Sequence, residues 1–366
     1  MTEKLIWRDL KVRAVHVPLR RPVVSKVGVF ERLPLILLDL ETEQGIVGRS
    51  YVVPYLSGAV RYIVPAIRDL AAVRKGKPVT PFDAYEQGRK ALGLVGLEGV
   101  PLIAVSGIDM AAWDALAKSA GQPLAVYLGG SLGPMPAYNS SGLWLSPLDG
   151  LADEAAALAA EGGGFGALKL RIGRDRVEDD LKAIRAVREG AGADVTIMSD
   201  FNQGRTLGGA LERCQALDDQ GLYWFEEPIA YDKFSGYARL SRVLKTPVML
   251  GENFYGPETL ARAITERAGD YMMPDLARIG GVTGWLRCAA ITGAHGIQMS
   301  SHLYPEVSAH LLRITETAHW LEMIDWADPV IAEPFRVENG QCLIPDVPGN
   351  GIAWDEQAVE RYKLEL

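Results

Sequence analysis

The apolar positions of this chain change period along its length. Val12–Val17 and Leu35–Leu40 alternate or run together as strands do. Gly45–Gly48 predicts a turn after the second of them. Across Ile63–Val73 and Leu102–Ala117 the apolar residues recur at helical spacing. Gly129-Gly130 and Gly133-Pro134 then punctuate the sequence. These signals predict an α+β domain over residues 1–130.

From 131 to 330 short apolar runs recur, each followed by a polar amphipathic stretch. The runs are Ala137–Ser140, Ala167–Ile172, Thr196–Ser199, Tyr223–Phe225, Val248–Leu250, Tyr271–Met273, Gln298–Ser300 and Trp320–Met323. Strand–helix alternation of this length implies a parallel sheet, and about eight such units close into a (β/α) barrel. An open doubly wound sheet is the competing architecture, but no glycine-rich dinucleotide loop follows the first strand. Residues 331–366 are loop-rich, with Pro345, Pro348, Gly349 and Gly351, and are expected to pack back on the N-terminal domain.

Each barrel run after Ala137–Ser140 carries or ends in ionisable side chains. Lys169 and Arg171 lie in Ala167–Ile172, then follow Asp200, the pair Glu226-Glu227, Glu252, Asp275, His302 and Glu322. Their spacing of about 20–30 residues matches one βα unit, and the C-terminal strand ends of a parallel barrel converge on one mouth. Asp200, Glu226 and Glu252 therefore meet. Clustered carboxylates repel unless a cation joins them, and an all-oxygen set without Cys or His favours Mg²⁺ over zinc. Strand alternation turns Glu226 and Glu227 to opposite faces, which makes Glu226 the ligand and leaves Glu227 for a basic partner. Asp275 beside His302 fixes the tautomer of the imidazole and raises its basicity, as in a general-base dyad. Lys169 and Arg171 share a face and call for an anion, which a substrate carboxylate supplies.

Composition narrows the class. The 366 residues carry a net charge of −8, which leaves no electrostatic footprint for nucleic acid or an anionic membrane. With 48% hydrophobic and 23% charged residues the chain reads as globular. Cys214, Cys288 and Cys342 are scattered, which argues for a reducing compartment and against a disulfide framework. The charged start MTEKLIWRDL does not read as a signal peptide, and no transmembrane helix is expected, so a cytoplasmic location is the default.

The same residues carry a family resemblance. The stretches GIDMAAWDALAK (107–118), DFNQ (200–203), EEP (226–228), GEN (251–253), PDLARIGGVTGW (274–285), MSSHL (299–303), SAHLL (308–312) and TAHWLE (317–322) resemble the enolase superfamily and, within it, the mandelate racemase group over nearly the whole chain. The resemblance implies an α+β capping domain over a modified (β/α)7β TIM barrel. It implies Mg²⁺ on Asp200, Glu226 and Glu252, with His302 as a base oriented by Asp275. Glu322, as a protonated acid, would donate to the substrate carboxylate, and Lys169 would contact the same group. Asn202 and Ser140 match positions that hold substrate and metal. Val23, Val27, Val53 and Tyr55 from the capping loops, with Leu303 and Ile324 from the barrel, match a substrate pocket. A homo-oligomer such as an octamer is implied as well.

One residue departs from the group's pattern. Where its members have Lys-x-Lys, this chain has Lys169-Leu170-Arg171. Arginine stays protonated at neutral pH and is a poor base. Two activities on a small carboxylate substrate follow. The first is racemisation of a 2-hydroxy acid with an apolar or aryl substituent, which suits the apolar pocket positions. The second is dehydration of an acid sugar with His302 as sole base and acid. A non-catalytic metal-binding barrel is the reading from another class. Lys26 and Arg49 are polar exceptions near the pocket and candidates for a second substrate charge. Arg278 is expected to support the site from behind Asp275.

Overall fold

The computed structural model describes residues 4–25 and 28–365. Lys26 and Val27 lie outside the described residues. The chain opens with three antiparallel strands, β1 (Trp7–Ser25), β2 (Gly28–Thr42) and β3 (Val47–Val52). The helices α1 (Ser57–Ala72), α2 (Pro81–Leu92) and α3 (Val100–Ser119) follow. The turn expected at Gly45–Gly48 falls slightly earlier, at Glu43–Gly45, and Gly48 belongs to β3. The helix α2, which the apolar spacing did not announce, completes this layer.

The helix α3 is apolar nearly all round because it is buried nearly all round. By length and composition it could cross a membrane, yet it packs on β3, α1, α2 and the barrel helix Gly281–His295. Its polar residues join the parts of the molecule. Asp109 accepts from Thr283 Oγ1 (2.5 Å) and the Thr283 backbone N–H (2.9 Å). Asp114 accepts from the backbone N–H groups of Arg49 and Asn350, both at 2.7 Å. The family segment 107–118 thus ties capping domain, barrel and tail together. Gly48 is required by this contact, because a Cβ there would lie 2.0 Å from the Ala111 carbonyl oxygen. Gly48→Ala is therefore expected to lower the unfolding free energy by about 1–3 kcal/mol. A urea transition left unmoved would show that α3 can withdraw from the sheet without cost.

The barrel strands are β4 (Met135–Asn139), β5 (Ala167–Arg171), β6 (Thr196–Asp200), β7 (Leu222–Glu226), β8 (Val248–Leu250), β9 (Tyr271–Met272) and β10 (Leu321–Met323). They pair in parallel in sequence order from β4 to β9, and β10 returns to pair with β4. The run Gln298–Ser300 makes no regular strand. Isolated bridges from Met299 to Met272 and to Ala318 carry the closure instead. The ring is closed, which removes the open-sheet alternative.

The tail does two things rather than one. The hairpin of β11 (Arg336–Glu338) and β12 (Gln341–Leu343) first adds to β4 of the barrel. The chain then reaches the capping domain, where β13 (Lys363–Leu364) pairs with β1 and Trp354 Nε1 donates to Asp39 (2.7 Å).

Between capping domain and barrel, Tyr51 donates to buried Glu306 (2.8 Å) and the Val53 N–H donates to the Tyr304 hydroxyl (3.0 Å). Burial pushes the Glu306 carboxyl up from 4.5 to about 7. The folded state then holds a proton that the unfolded chain has lost, so stability falls as pH rises through this window. Asp328, also raised to about 7 by burial and by Glu306, adds to the slope. Glu306→Gln should flatten the fall of the melting temperature between pH 4.5 and about 7. An unchanged slope would mean that this carboxyl ionises freely in the fold.

Candidate active site

Inside the barrel, Tyr138, Ala167, Met198, Trp224, Met249 and Met273 form one packed layer. Two residues further along each strand, alternation returns the side chain to the interior at the C-terminal mouth. That step leads from Tyr138 to Ser140, Ala167 to Lys169, Met198 to Asp200, Trp224 to Glu226 and Met273 to Asp275. Arg171, Asp200 and Glu226 are also cross-strand neighbours in the ladder. Glu252 lies one residue past this alternation. Gly251, at φ 132°, redirects the chain, and a Cβ there would meet the Met273 backbone at 3.0 Å.

Asp200, Glu226 and Glu252 place carboxylate oxygens within 4.8 Å of one another, all buried. Burial first, then mutual repulsion, raises Asp200 and Glu226 above their ordinary values, against the pull of Lys169. Burial also acts on Glu252, but His302, Lys169 and Arg278 together hold it below its ordinary value. A set of oxygens that resists carrying its own charge fits a hard divalent cation such as Mg²⁺. Asn202 donates to Asp200 from its side chain (2.9 Å) and its backbone (2.7 Å), and Asn253 donates to Glu252 (2.9 Å).

Glu227 turns away from the cluster as alternation requires, but among the described residues it meets no basic side chain. It accepts from Gly251 N–H (3.2 Å) and Asn253 Nδ2 (2.7 Å), and burial raises it to about 8. The partners here are amides, because the strand end of β8 offers backbone rather than a cation.

His302 Nδ1 lies 2.7 Å from Asp275 Oδ2, and its Nε2 lies 3.3 Å from Glu252. The other Asp275 oxygen caps the short helix Leu276–Ile279 through Ala277 and Arg278 N–H. Burial disfavours a charged imidazole, yet Glu252, Glu322 and the Asp275 hydrogen bond together raise its pKa. Lys169 Nζ reaches Glu322 at 2.8 Å, Glu226 at 2.9 Å and Asp200 at 3.5 Å. These carboxylates keep it charged despite complete burial.

Glu322 differs from its expected state. The family resemblance implies a protonated donor at this position. Burial does act in that direction, but Lys169, His302 and the Leu303 N–H (2.8 Å) outweigh it and hold Glu322 well below its ordinary value. It also accepts from Ser140 Oγ at 2.7 Å. Arg171 donates to the carbonyls of Ser140 (3.0 Å) and Gly142 (3.1 Å) and to Ser140 Oγ (2.9 Å). Its guanidinium carbon lies 3.7 Å from the centroid of the Trp144 ring.

Tyr55 brings the capping domain over this ring of acids. Arg278 lies 5.1 Å over its face, and Asp275, Glu252 and Glu322 are close enough to act on its hydroxyl. The Tyr55 ring meets Trp326 edge-on, and Trp326 stacks on Trp144. These two tryptophans were not anticipated, since an isolated Trp carries no positional signal. Val53, Leu303 and Ile324 are buried, and Val23 is a single buried position between exposed Pro22 and half-buried Val24, whose carbonyl accepts from Leu145. Arg49 is not free for a substrate, because Asp39 engages its guanidinium at 3.2 Å. Arg278 supports the site as expected, donating to the Glu252 carbonyl at 2.9 Å.

Several site residues hold a left-handed backbone, namely Tyr55, Asn202, Glu227, Leu303 and Tyr304. Such conformations cost of order 1–3 kcal/mol each and persist where the surroundings impose them. At Leu303 the conformation aims its N–H at Glu322.

Fold and site together define a metal-assisted barrel enzyme. Residues 7–129 match the mandelate racemase / muconate lactonizing enzyme N-terminal domain, and residues 150–358 match the enolase C-terminal domain-like family. The chain belongs to the enolase superfamily. It is 49% identical, at a TM-score of 0.97, to an enolase from alpha pretobacterium bal199 with bound Mg, covering 98% of this chain and 100% of that one. A Bradyrhizobium enolase complexed with magnesium and mandelic acid is 38% identical at a TM-score of 0.95, with both chains fully covered. The L-talarate/galactarate dehydratase of Salmonella typhimurium is 30% identical over 97% of this chain and 90% of its own length. The cofactor is Mg²⁺, and the shared chemistry is abstraction of the proton α to a carboxylate.

Proposed function

We propose that this chain is a one-base hydro-lyase acting on a 2,3-dihydroxycarboxylate. The observation that carries this reading is the state of Arg171. It occupies the position of a second base, yet its guanidinium is bound to two carbonyls and a hydroxyl and stacked on Trp144. A group that stays protonated and donates to fixed acceptors takes up no proton from the substrate. His302 is then the residue that moves protons.

Asp200, Glu226 and Glu252 would hold Mg²⁺, which would supply electrostatic stabilisation for the charge that develops on the substrate carboxylate. Lys169 adds a fixed cation to the same place. His302 Nε2 removes the α-proton while Asp275 holds Nδ1. The C–O bond at the β-carbon then breaks, and the imidazolium returns its proton so that the hydroxyl leaves as water. The resulting enol tautomerises to a 2-keto-3-deoxy acid. One residue acts first as base and then as acid, so no second base is needed.

Racemisation of an aryl 2-hydroxy acid is the second reading. The aromatic wall of Tyr55, Trp326 and Trp144 favours it, as does the relative solved with mandelic acid. Incubation with Mg²⁺ in ²H₂O separates the two. L-glucarate and each enantiomer of mandelate would be followed by proton NMR. Keto-acid formation from the acid sugar, with exchange of at most one mandelate enantiomer and no inversion, is expected. Inversion of mandelate without any keto acid would refute the hydro-lyase.

A further inference from the structure

We infer that Arg171 is a positioning residue, and that through the hydroxyl of Ser140 it fixes the direction in which Glu322 faces a ligand. A guanidinium can only donate, so Ser140 Oγ is the acceptor in its 2.9 Å contact with Arg171 Nη2. A serine hydroxyl has one proton. It is committed to Glu322 Oε1 at 2.7 Å. Lys169 Nζ donates to the same oxygen at 2.8 Å.

A carboxylate offers about four acceptor positions, two on each oxygen. Both on Oε1 are taken by Ser140 and Lys169. One on Oε2 is taken by the Leu303 N–H at 2.8 Å. The remaining position is on Oε2, the oxygen that lies 3.9 Å from His302 Nε2. Glu322 therefore meets a ligand through one lone pair, on the side of the histidine. The substitution of arginine for a second lysine, which removes a base, also installs this relay. An ammonium group is a point charge that cannot bind two carbonyls and the hydroxyl in one plane. The chain Arg171, Ser140, Glu322 is buried throughout, so each contact acts at low dielectric and the three polarise one another.

The test reads Glu322 directly and needs no substrate. Isotope-edited infrared spectra of the Mg²⁺-loaded enzyme, taken as a difference against Glu322→Gln, report the antisymmetric carboxylate stretch. Its frequency follows the donors that bind the group. Arg171→Met and Ser140→Ala should each shift the band in the same direction. The double variant should shift it no further than the larger single change, because the two act in series. Ser140→Thr, which keeps a hydroxyl, should restore the wild-type position. Mg²⁺ binding by calorimetry confirms in each case that the triad is intact. An unmoved band in Arg171→Met with Mg²⁺ affinity retained would overturn the inference, and so would shifts that simply add. Should Arg171→Met not fold, Arg171→Lys takes its place: it keeps the charge without the planar fork and should shift the band in the same direction, and an unmoved band there would overturn the inference.

Discussion

His302→Asn is expected to reduce solvent-deuterium exchange at the α-carbon by about 10²–10⁴-fold, the range of a positioned general base. The expectation stands on position and environment together. Nε2 faces the carboxylate cluster at 3.3 Å from Glu252, and Nδ1 is held by Asp275 at 2.7 Å. Asparagine retains a hydrogen-bonding amide near Asp275 but has no group that accepts a proton at neutral pH. Folding and Mg²⁺ affinity should survive, since Asp275 keeps its helix-capping contacts. The readout is NMR exchange of L-glucarate and of both mandelate enantiomers. Full exchange in the variant would remove His302 from the base role. Asp275→Asn tests the same dyad from behind. It should cost rate without loss of Mg²⁺, because the imidazole then loses the charge that raises its basicity.

Removal of the metal should have an effect of similar size. Chelation by EDTA is expected to abolish turnover, and added Mg²⁺ to restore it. The same addition should raise the melting temperature, by about 2.7 kcal/mol of stabilisation at a hundredfold excess over Kd. The direction follows from the carboxylates. Burial raises both Asp200 and Glu226, with Glu252 adding repulsion at the first and Asp200 at the second, against Lys169 and, at Asp200, Arg171. Mg²⁺ competes with protons for carboxylates shifted in this direction, so its apparent affinity should increase with pH. Glu226→Gln removes a ligand and the acceptor of Lys169 at 2.9 Å. Its melting temperature should respond weakly to Mg²⁺. A variant stabilised as much as the wild type would place the ion away from Glu226.

Much of this site was legible before any fold was known. The barrel strands announce themselves by alternation, and alternation also decides which residue at each strand end points inward. Asp200, Glu226 and Asp275 follow from it, each two residues beyond a packed interior position. The strand that carries Met299 was read from its apolar run, yet it survives only as bridges. Pattern measures burial, and a segment is buried whether or not it makes a regular ladder. The helix α2 escaped because half of its face is exposed and its apolar spacing is weak.

The chain alone determined which chemical groups converge at the mouth: three carboxylates, a histidine with its acid partner, and two cations on one strand. That follows because side-chain type and a two-residue period are written in the sequence. Only the tertiary structure decided what state those groups hold. Glu322 is an acceptor because Lys169, Ser140 and the Leu303 N–H converge on it, and Leu303 does so from a left-handed backbone that its residue type does not favour. Arg171 is fixed by the carbonyls of Ser140 and Gly142, and Glu227 meets amides rather than a cation. Backbone N–H and C=O groups are the same at every position, so no reading of side chains can tell which of them a fold will aim at a charge.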